Sequence, residues 1–334
     1  MSEVKESNVN AGEDTSGRLP TTHHEHDASL DDKDLLFICE GLPSDWRRLG
    51  VRLGLEWNKI NVIADNNTRK DGVMETLVTW RDGQSTNQIP IMLNALREQG
   101  LVQLAERLCK RRGYKDDHDA AANQPQVLTQ HRLVGASLDD QDLLFICEDL
   151  GSDWRRLGVR LGLEWNKINV IADKNTLKDG VMETLVTWRD GQSMNQMPIM
   201  LNALREQGLV QLAERLCKRR GYKDDLDAAA NQPQLSTQHR LVGGYMQDAD
   251  LLFISEMMGS GWKAIAKNLG INKMEIEDVD TKFQRQIMDA ALEMLVRWRN
   301  RQGRNVNQLK ILKAALMKKN KEIAKKLDAY YQHA

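Results

Sequence analysis

Arginine and tryptophan recur at fixed positions in this chain, and both side chains are suited to contact with another protein. The stretch "SDWRRLGVRLGLEWNKI" at residues 44–60 returns unchanged at 152–168, and a looser version occupies 260–276. Guanidinium groups pair with carboxylates, and indoles are frequent at the energetic centres of interfaces. The candidate partner-binding residues in the first two copies are therefore Arg47, Arg48, Arg52 and Trp57, then Arg155, Arg156, Arg160 and Trp165.

The two later tryptophans, Trp57 and Trp165, differ from those that begin each motif. The third copy has Lys273 at the equivalent position. A position that accepts lysine is not expected to be fully buried. We therefore expect both indoles to be at least half exposed, either as partner contacts or as partly covered residues at the rim of a core.

Charge is divided between neighbouring segments of each copy. The predicted first helix begins with Asp31, Asp32 and Asp34, and the arginines follow on the predicted second helix. In the third copy the acidic candidates lie near the third helix and are Glu275, Glu277, Asp278 and Asp280. Opposite patches on one small body permit head-to-tail association, which need not close into a ring. An ordinary surface of mixed charge is the alternative interpretation.

Patterns typical of catalysis or metal binding are not found in the sequence. It has no Gly-rich phosphate loop, no Gly-x-Ser-x-Gly and no Cys-x-x-Cys. The run "HHEH" at 23–26 stands alone in a polar segment, and carboxylates at helix starts fit pairing with the helix dipole. We expect no enzyme activity, no metal, no cofactor and no small-molecule substrate. The four cysteines, expected to be buried thiols rather than disulfides, are Cys39, Cys109, Cys147 and Cys217.

The elements that carry these residues are predicted to be helices. Apolar residues such as Leu35, Cys39 and Leu42 recur at steps of three and four, and no segment alternates as a strand would. Each copy is expected to hold six helices of about 8–14 residues. Ser44 and Asn87 are predicted N-caps.

The repeat length predicts separate domains. Trp46, Trp154 and Trp262 stand 108 residues apart, whereas solenoid units of about 20–50 residues cannot fold alone. We predict three bundles joined by two flexible linkers of about 22 residues, which would let each domain orient independently. The predicted units are a disordered tail at 1–28, domain 1 at 29–114, a linker at 115–136, domain 2 at 137–222, a linker at 223–244 and domain 3 at 245–334.

Composition narrows the partners and the compartment. The net charge of −1 gives no overall attraction to nucleic acid or membrane. The sequence opens with "MSEVKESNVN", which has no apolar segment, so no secretory signal is expected. No apolar run approaches the roughly 20 residues that span a bilayer. We therefore expect a cytoplasmic location.

A set of residues shared by the three copies resembles the death domain family of the death-fold superfamily. The second helix carries Trp-x-x-Leu-x-x-x-Leu-Gly, the fourth carries Leu-x-x-Trp, and the ending "LNALREQGLVQLAERL" runs from 93 to 108. The resemblance implies an all-α fold of six-helix antiparallel Greek-key bundles. It also implies homotypic binding to other death-domain proteins, or to a second copy, in apoptotic or innate-immune signalling.

Two other functions are consistent with the sequence. The helices at 46–66 could form a nucleic-acid-binding pair, and the end of the third copy is rich in lysine and arginine. The first two copies are nearly neutral, however, and the third has an acidic third helix, which would repel phosphate. The second alternative is a decoy that caps death-domain assemblies without extending them.

Overall fold

Each of the three repeats folds into a bundle of six α-helices. The computed structural model describes residues 29–85, 87–114, 137–193, 195–222, 245–303, 306–318 and 321–332. The described residues contain no β-strand, which confirms the predicted all-α class of antiparallel Greek-key bundles. The expected disordered tail and both expected linkers lie outside the described residues.

The helices are numbered in chain order. Domain 1 contains α1 (Asp32–Gly41), α2 (Arg47–Arg52), α3 (Trp57–Asn66), α4 (Arg69–Asp82), α5 (Gln88–Glu98) and α6 (Val102–Arg112). Domain 2 contains α7 (Asp140–Asp149), α8 (Trp154–Arg160), α9 (Trp165–Lys174), α10 (Leu177–Asp190), α11 (Gln196–Glu206) and α12 (Val210–Arg220). Domain 3 contains α13 (Asp248–Met258), α14 (Trp262–Asn268), α15 (Lys273–Lys282), α16 (Ile287–Arg301), α17 (Gln308–Met317) and α18 (Lys321–Gln332).

The tryptophan that begins each repeated motif is a core residue, as predicted. Trp46, Trp154 and Trp262 are 6%, 2% and 2% exposed. Each lies at the start of the second helix of its domain, and a second buried tryptophan comes from the fourth helix. An indole buries on the order of 200 Å² of surface. The motif is therefore repeated three times first of all because each bundle needs a buried tryptophan at this position.

Close packing of the second helix on the third depends on a glycine. A Cβ on Gly50 would lie 2.7 Å from Cδ1 of Ile60, and one on Gly158 would lie 2.8 Å from Cδ1 of Ile168. A Cβ at this distance would force the tip of the isoleucine side chain to shift, so glycine allows α2 to pack closely on α3 without that shift. This packing fixes the position of Trp57 at the first turn of α3.

The predicted caps are only partly correct. Ser44 does not cap α2, which begins at Arg47 after a turn, with Trp46 at the N-cap position. Asn87 does stand at the N-cap of α5, but its side chain makes no capping hydrogen bond. Its backbone is left-handed, with φ of 59°, a conformation that asparagine tolerates better than most residues.

The domains are not separate in space, in contrast to the expectation that they orient independently. Helices α2 and α3 of domain 1 contact domain 2, and α8 and α9 of domain 2 contact domain 3. In the part of the chain that the structure describes, no helix is long and apolar enough to cross a membrane.

Truncation of a motif tryptophan should unfold its own domain. We expect Trp154→Ala to lower the free energy of unfolding of domain 2 by about 3–5 kcal/mol, because a buried indole leaves a cavity. Urea denaturation of the whole chain, followed by circular dichroism, measures the change. Val170→Ala is the control, since Val170 is 52% exposed, and should shift stability by less than about 0.5 kcal/mol. Equal effects of the two substitutions would contradict the core role of Trp154.

Candidate functional site

The candidate site is the contact between successive domains. It occurs twice, and equivalent residues form it each time. One side, the donor face, is formed by the second and third helices of a domain. The other side, the acceptor face, is formed by the first and fourth helices of the next domain. In the first junction the donor face holds Arg47, Arg52, Trp57 and Asn61, and the acceptor face holds Asp140, Glu148, Asp179 and Glu183.

The N-terminus of the third helix is capped by the following domain. Glu56 stands at the N-cap of α3 without a side-chain capping hydrogen bond, so the first backbone N–H groups lack a partner from their own domain. The backbone N–H of Trp57 donates to Oδ2 of Asp140 at 2.6 Å. The second junction repeats this contact, since the backbone N–H of Trp165 donates to Oδ2 of Asp248 at 2.6 Å. A carboxylate at a helix N-terminus is also favoured by the helix dipole.

The indole beside this cap is fully enclosed. Trp57 is 0% exposed, and its Nε1–H donates to Oε2 of Glu183 at 2.7 Å. Asn61 donates through Nδ2 to the same oxygen at 3.0 Å. In the second junction Glu293 accepts from Nε1 of Trp165 at 2.6 Å and from Asn169 at 3.0 Å.

The expected exposure of Trp57 and Trp165 is therefore wrong, because the next domain covers both side chains. The substitution to Lys273 in domain 3 has a physical reason. The Lys273 side chain is 82% exposed, so a lysine at this position keeps its ammonium group in water. Contact of either tryptophan with a separate protein stays a prediction.

Arginines of the second helix surround the buried indole. Arg52 pairs with Glu148 of domain 2, and Arg160 pairs with Glu256 of domain 3 at 2.5 Å. Arg47 lies 3.5 Å from a carboxylate oxygen of Asp179. The remaining predicted arginines behave alike in the two junctions. Arg155 lies 3.6 Å from Asp289, and this contact is equivalent to that of Arg47 with Asp179. Arg48 and Arg156 each pair with an aspartate of their own domain, Asp45 and Asp153, and Arg156 also lies 3.9 Å from Asp289.

Burial of the acceptor carboxylates changes their acidity. Desolvation raises the pKa of Asp289 to about 6, although Arg155 and Arg156 oppose the shift. Desolvation likewise raises the pKa of Asp179, opposed mainly by Arg47. With a pKa near 6, Asp289 remains mostly ionised at neutral pH and can accept from the arginines of domain 2.

The second junction has an additional aromatic contact. Domain 3 carries an insertion before its fourth helix, since 36 residues separate Trp262 from Trp298 and 34 separate Trp46 from Trp80. Phe283 in this segment lies with its ring centroid 6.0 Å from that of Trp165. The guanidinium of Arg155 lies over both Phe283, at 5.7 Å, and Trp154, at 4.9 Å. This arrangement adds cation–π attraction to the junction.

The acidic candidates of domain 3 pair within their own domain. Glu277 lies 3.5 Å from Lys273, Asp278 lies 2.8 Å from Arg297, and Asp280 lies 2.7 Å from Lys263. Glu275 pairs with Arg301. These four residues all lie on α15, and their predicted role in partner binding is a proposal.

Sequence reasoning missed the acceptor residues of the fourth helix, which are Asp179, Glu183, Asp289 and Glu293. One carboxylate within an apolar helix gives no signal by itself. The available signal was that Glu75, Glu183 and Glu293 occupy the same position in all three copies, the last displaced by the two-residue insertion. The acidic start of the first helix was predicted, but not that Asp140, equivalent to Asp32, caps a helix of another domain.

Reversal of charge at Glu183 should separate domains 1 and 2. Glu183→Lys places an ammonium group against the Trp57 and Asn61 donors, and each hydrogen bond lost to a charged group costs about 1.5–3 kcal/mol. We expect an increased radius of gyration in small-angle X-ray scattering, with unchanged helix content by circular dichroism. Glu75→Lys is the matched control, since it alters the equivalent position of domain 1, which is exposed in the structure. The same radius of gyration for both variants would disprove the contact.

The residues of these junctions lie within segments that match a known family. The death domain model matches residues 32–111, 140–219 and 246–330. Neither the curated proteins nor the solved structures yield a match to this chain. The three matched segments comprise most of the sequence and coincide with the three helical bundles. The chain therefore belongs to the death domain family, whose domains are protein-interaction modules, and contains three of them in tandem.

Proposed function

We propose that this chain is a non-enzymatic adaptor or scaffold that binds other death-domain proteins in apoptotic or innate-immune signalling. One observation carries the proposal. The chain already makes the same contact between death domains twice, with the donor face of one domain against the acceptor face of the next. A surface that recognises a death domain within the chain has the chemistry to recognise one in another protein.

The two sides of the contact are different surfaces, which favours the linear assembly of domains. A basic helix with a tryptophan meets an acidic pair of helices, so the two sides of the contact are different surfaces of a domain. Such a heterologous contact repeats along a line unless its rotation closes a ring. This geometry suits a scaffold that places several death domains in succession.

A cytoplasmic location is consistent with the cysteines. No disulfide links the four cysteines, all of which lie in described segments. Burial raises the pKa of the Cys147 thiol to about 11 and also raises the pKa of Cys39. Both thiols therefore stay protonated and weakly reactive at neutral pH, as expected for packing residues in a reducing compartment.

Nucleic-acid binding has weaker support. The basic residues of α16 are engaged within domain 3: Arg297 lies 2.8 Å from Asp278, and Arg299 pairs with Asp248. Arginines already paired with carboxylates offer little net charge to phosphate.

Binding to purified death domains tests the proposed function. We expect the full chain to bind at least one member of a panel of death domains from receptors and adaptors, in biolayer interferometry at physiological salt. A single such contact should have a Kd of about micromolar. Caspase-recruitment and death-effector domains are the controls for specificity. Equal binding to all three classes, or binding to none, would contradict the proposal.

Salt-dependent chromatography tests the nucleic-acid alternative. We expect the chain to pass through heparin and duplex DNA columns at about 0.15 M salt, because it lacks the excess of positive charge that phosphate binding requires. A set of unpaired basic residues would instead give retention that falls steeply as salt is added. Such retention, together with no binding to any death domain, would replace the adaptor proposal.

A further inference from the structure

The acceptor face of domain 1 is left uncovered, although its residues match those that are covered in domains 2 and 3. Leu36 is 41% exposed, whereas the equivalent Leu144 and Leu252 are each 2% exposed. The Asp32 side chain is 77% exposed, whereas that of Asp140 is 12% exposed. In the structure the acceptor face of domain 1 is therefore exposed, while the equivalent faces of domains 2 and 3 are covered.

A depression marks the place where a donor face would lie. It has a volume of about 350 Å³ and is lined by Asp32, Lys33, Leu36, Lys70, Asp71 and Met74. In domain 2 the positions equivalent to Asp32 and Asp71 are Asp140 and Asp179, which receive the Trp57 backbone and Arg47 of domain 1. Glu75, equivalent to the indole acceptor Glu183, is exposed beside the depression.

The opposite end of the row lacks a donor face. In domain 3 the tryptophan is replaced by Lys273 and the neighbouring asparagine by Glu277. Arg52 and Arg160, which pair with the next domain, are replaced by Asn268, and Val51 is replaced by Lys267, which is exposed. Lys263 replaces Arg47, and it pairs with Asp280 of its own domain. Glu277 would also repel the carboxylates of any acceptor face.

The third helix of domain 3 is capped by its own chain. Asn272 stands where Glu56 and Glu164 stand in the other domains, and its Oδ1 accepts from the backbone N–H of Glu275 at 2.8 Å. Asparagine is a strong N-cap residue and glutamate is not. Helix α15 therefore does not need a carboxylate from another domain, in contrast to α3 and α9.

We propose that this chain terminates death-domain assemblies at one end. The acceptor face of domain 1 binds the donor face of a death domain in another protein, but domain 3 has no donor face with which to bind the acceptor face of a further domain. The partner is a death domain with arginines on its second helix and a tryptophan at the first position of its third helix. A second copy of this chain does not fit, because the donor faces of domains 1 and 2 are covered and domain 3 has none. The inference rests on the proposed function and adds that the chain joins an assembly through domain 1 and not through domain 3.

Restoring a donor face on domain 3 tests both ends of the row at once. The full chain with Lys273→Trp and Glu277→Asn should associate head to tail, since domain 3 of one copy would then fit domain 1 of the next. These side chains are 82% and 63% exposed, so the core is not altered. We expect the weight-average mass in sedimentation velocity to rise with concentration by about twofold or more. The wild-type chain should keep a constant mass.

A further substitution locates the contact. Adding Glu75→Lys to the double variant should return the mass to the wild-type value, because the new indole would lose its acceptor. Adding Glu106→Lys, an exposed charge reversal on α6, should leave the association unchanged. If Glu75→Lys has no effect on the association, the acceptor face of domain 1 is not the docking surface.

Two remaining outcomes would overturn the proposal. If the mass of the double variant does not rise with concentration, Asn268→Arg is added to restore the arginine of the second helix. An unchanged mass for this triple variant would show that the acceptor face of domain 1 is not open. Association of the wild-type chain would show that domain 3 is not a closed end. None of these measurements uses a natural partner. Failure of the terminator is therefore distinguishable from failure to bind the panel of death domains.

Discussion

The relationship between the three domains depends on a helix end that its own domain does not cap. Glu56 offers no side-chain hydrogen bond to α3, and a carboxylate from the next domain supplies it at the backbone of Trp57. The same junction encloses the indole beside this cap and places the arginines of the preceding helix against acidic partners. One local requirement thus fixes the position of the next domain.

The sequence predicts the core of each domain, but it does not predict the face that contacts the next domain. The recurrence of Trp46, Leu49 and Leu53 at helical steps predicts a buried stripe, since such a stripe must face its own bundle. Trp57 belongs to the same motif but is buried by another domain. Periodicity within one domain cannot show this, and comparison with Lys273 predicted exposure. The comparison misled because Lys273 is exposed, whereas the following domain covers the tryptophan at the equivalent position of domains 1 and 2.

The opposite charges of neighbouring helices indicated the contact between domains more accurately than the comparison with Lys273 did. They predicted that head-to-tail association is possible, and the structure places arginines of one domain against carboxylates of the next. The sequence could not give the register of that contact, because it depends on Glu183 and Glu293, which come from helices distant in sequence. It also could not show that the domains joined by these linkers would be in contact, since a linker of about 22 residues permits both separation and docking.

The central claim is that Trp57 and Glu183 interact across the junction between domains 1 and 2. A double-mutant cycle with Trp57→Phe, which removes the indole N–H, and Glu183→Gln, which removes the negative charge, measures that interaction directly in the free energy of unfolding. The structure predicts a coupling energy of about 1–2 kcal/mol. A coupling energy within error of zero, the value expected for independent domains, would contradict it.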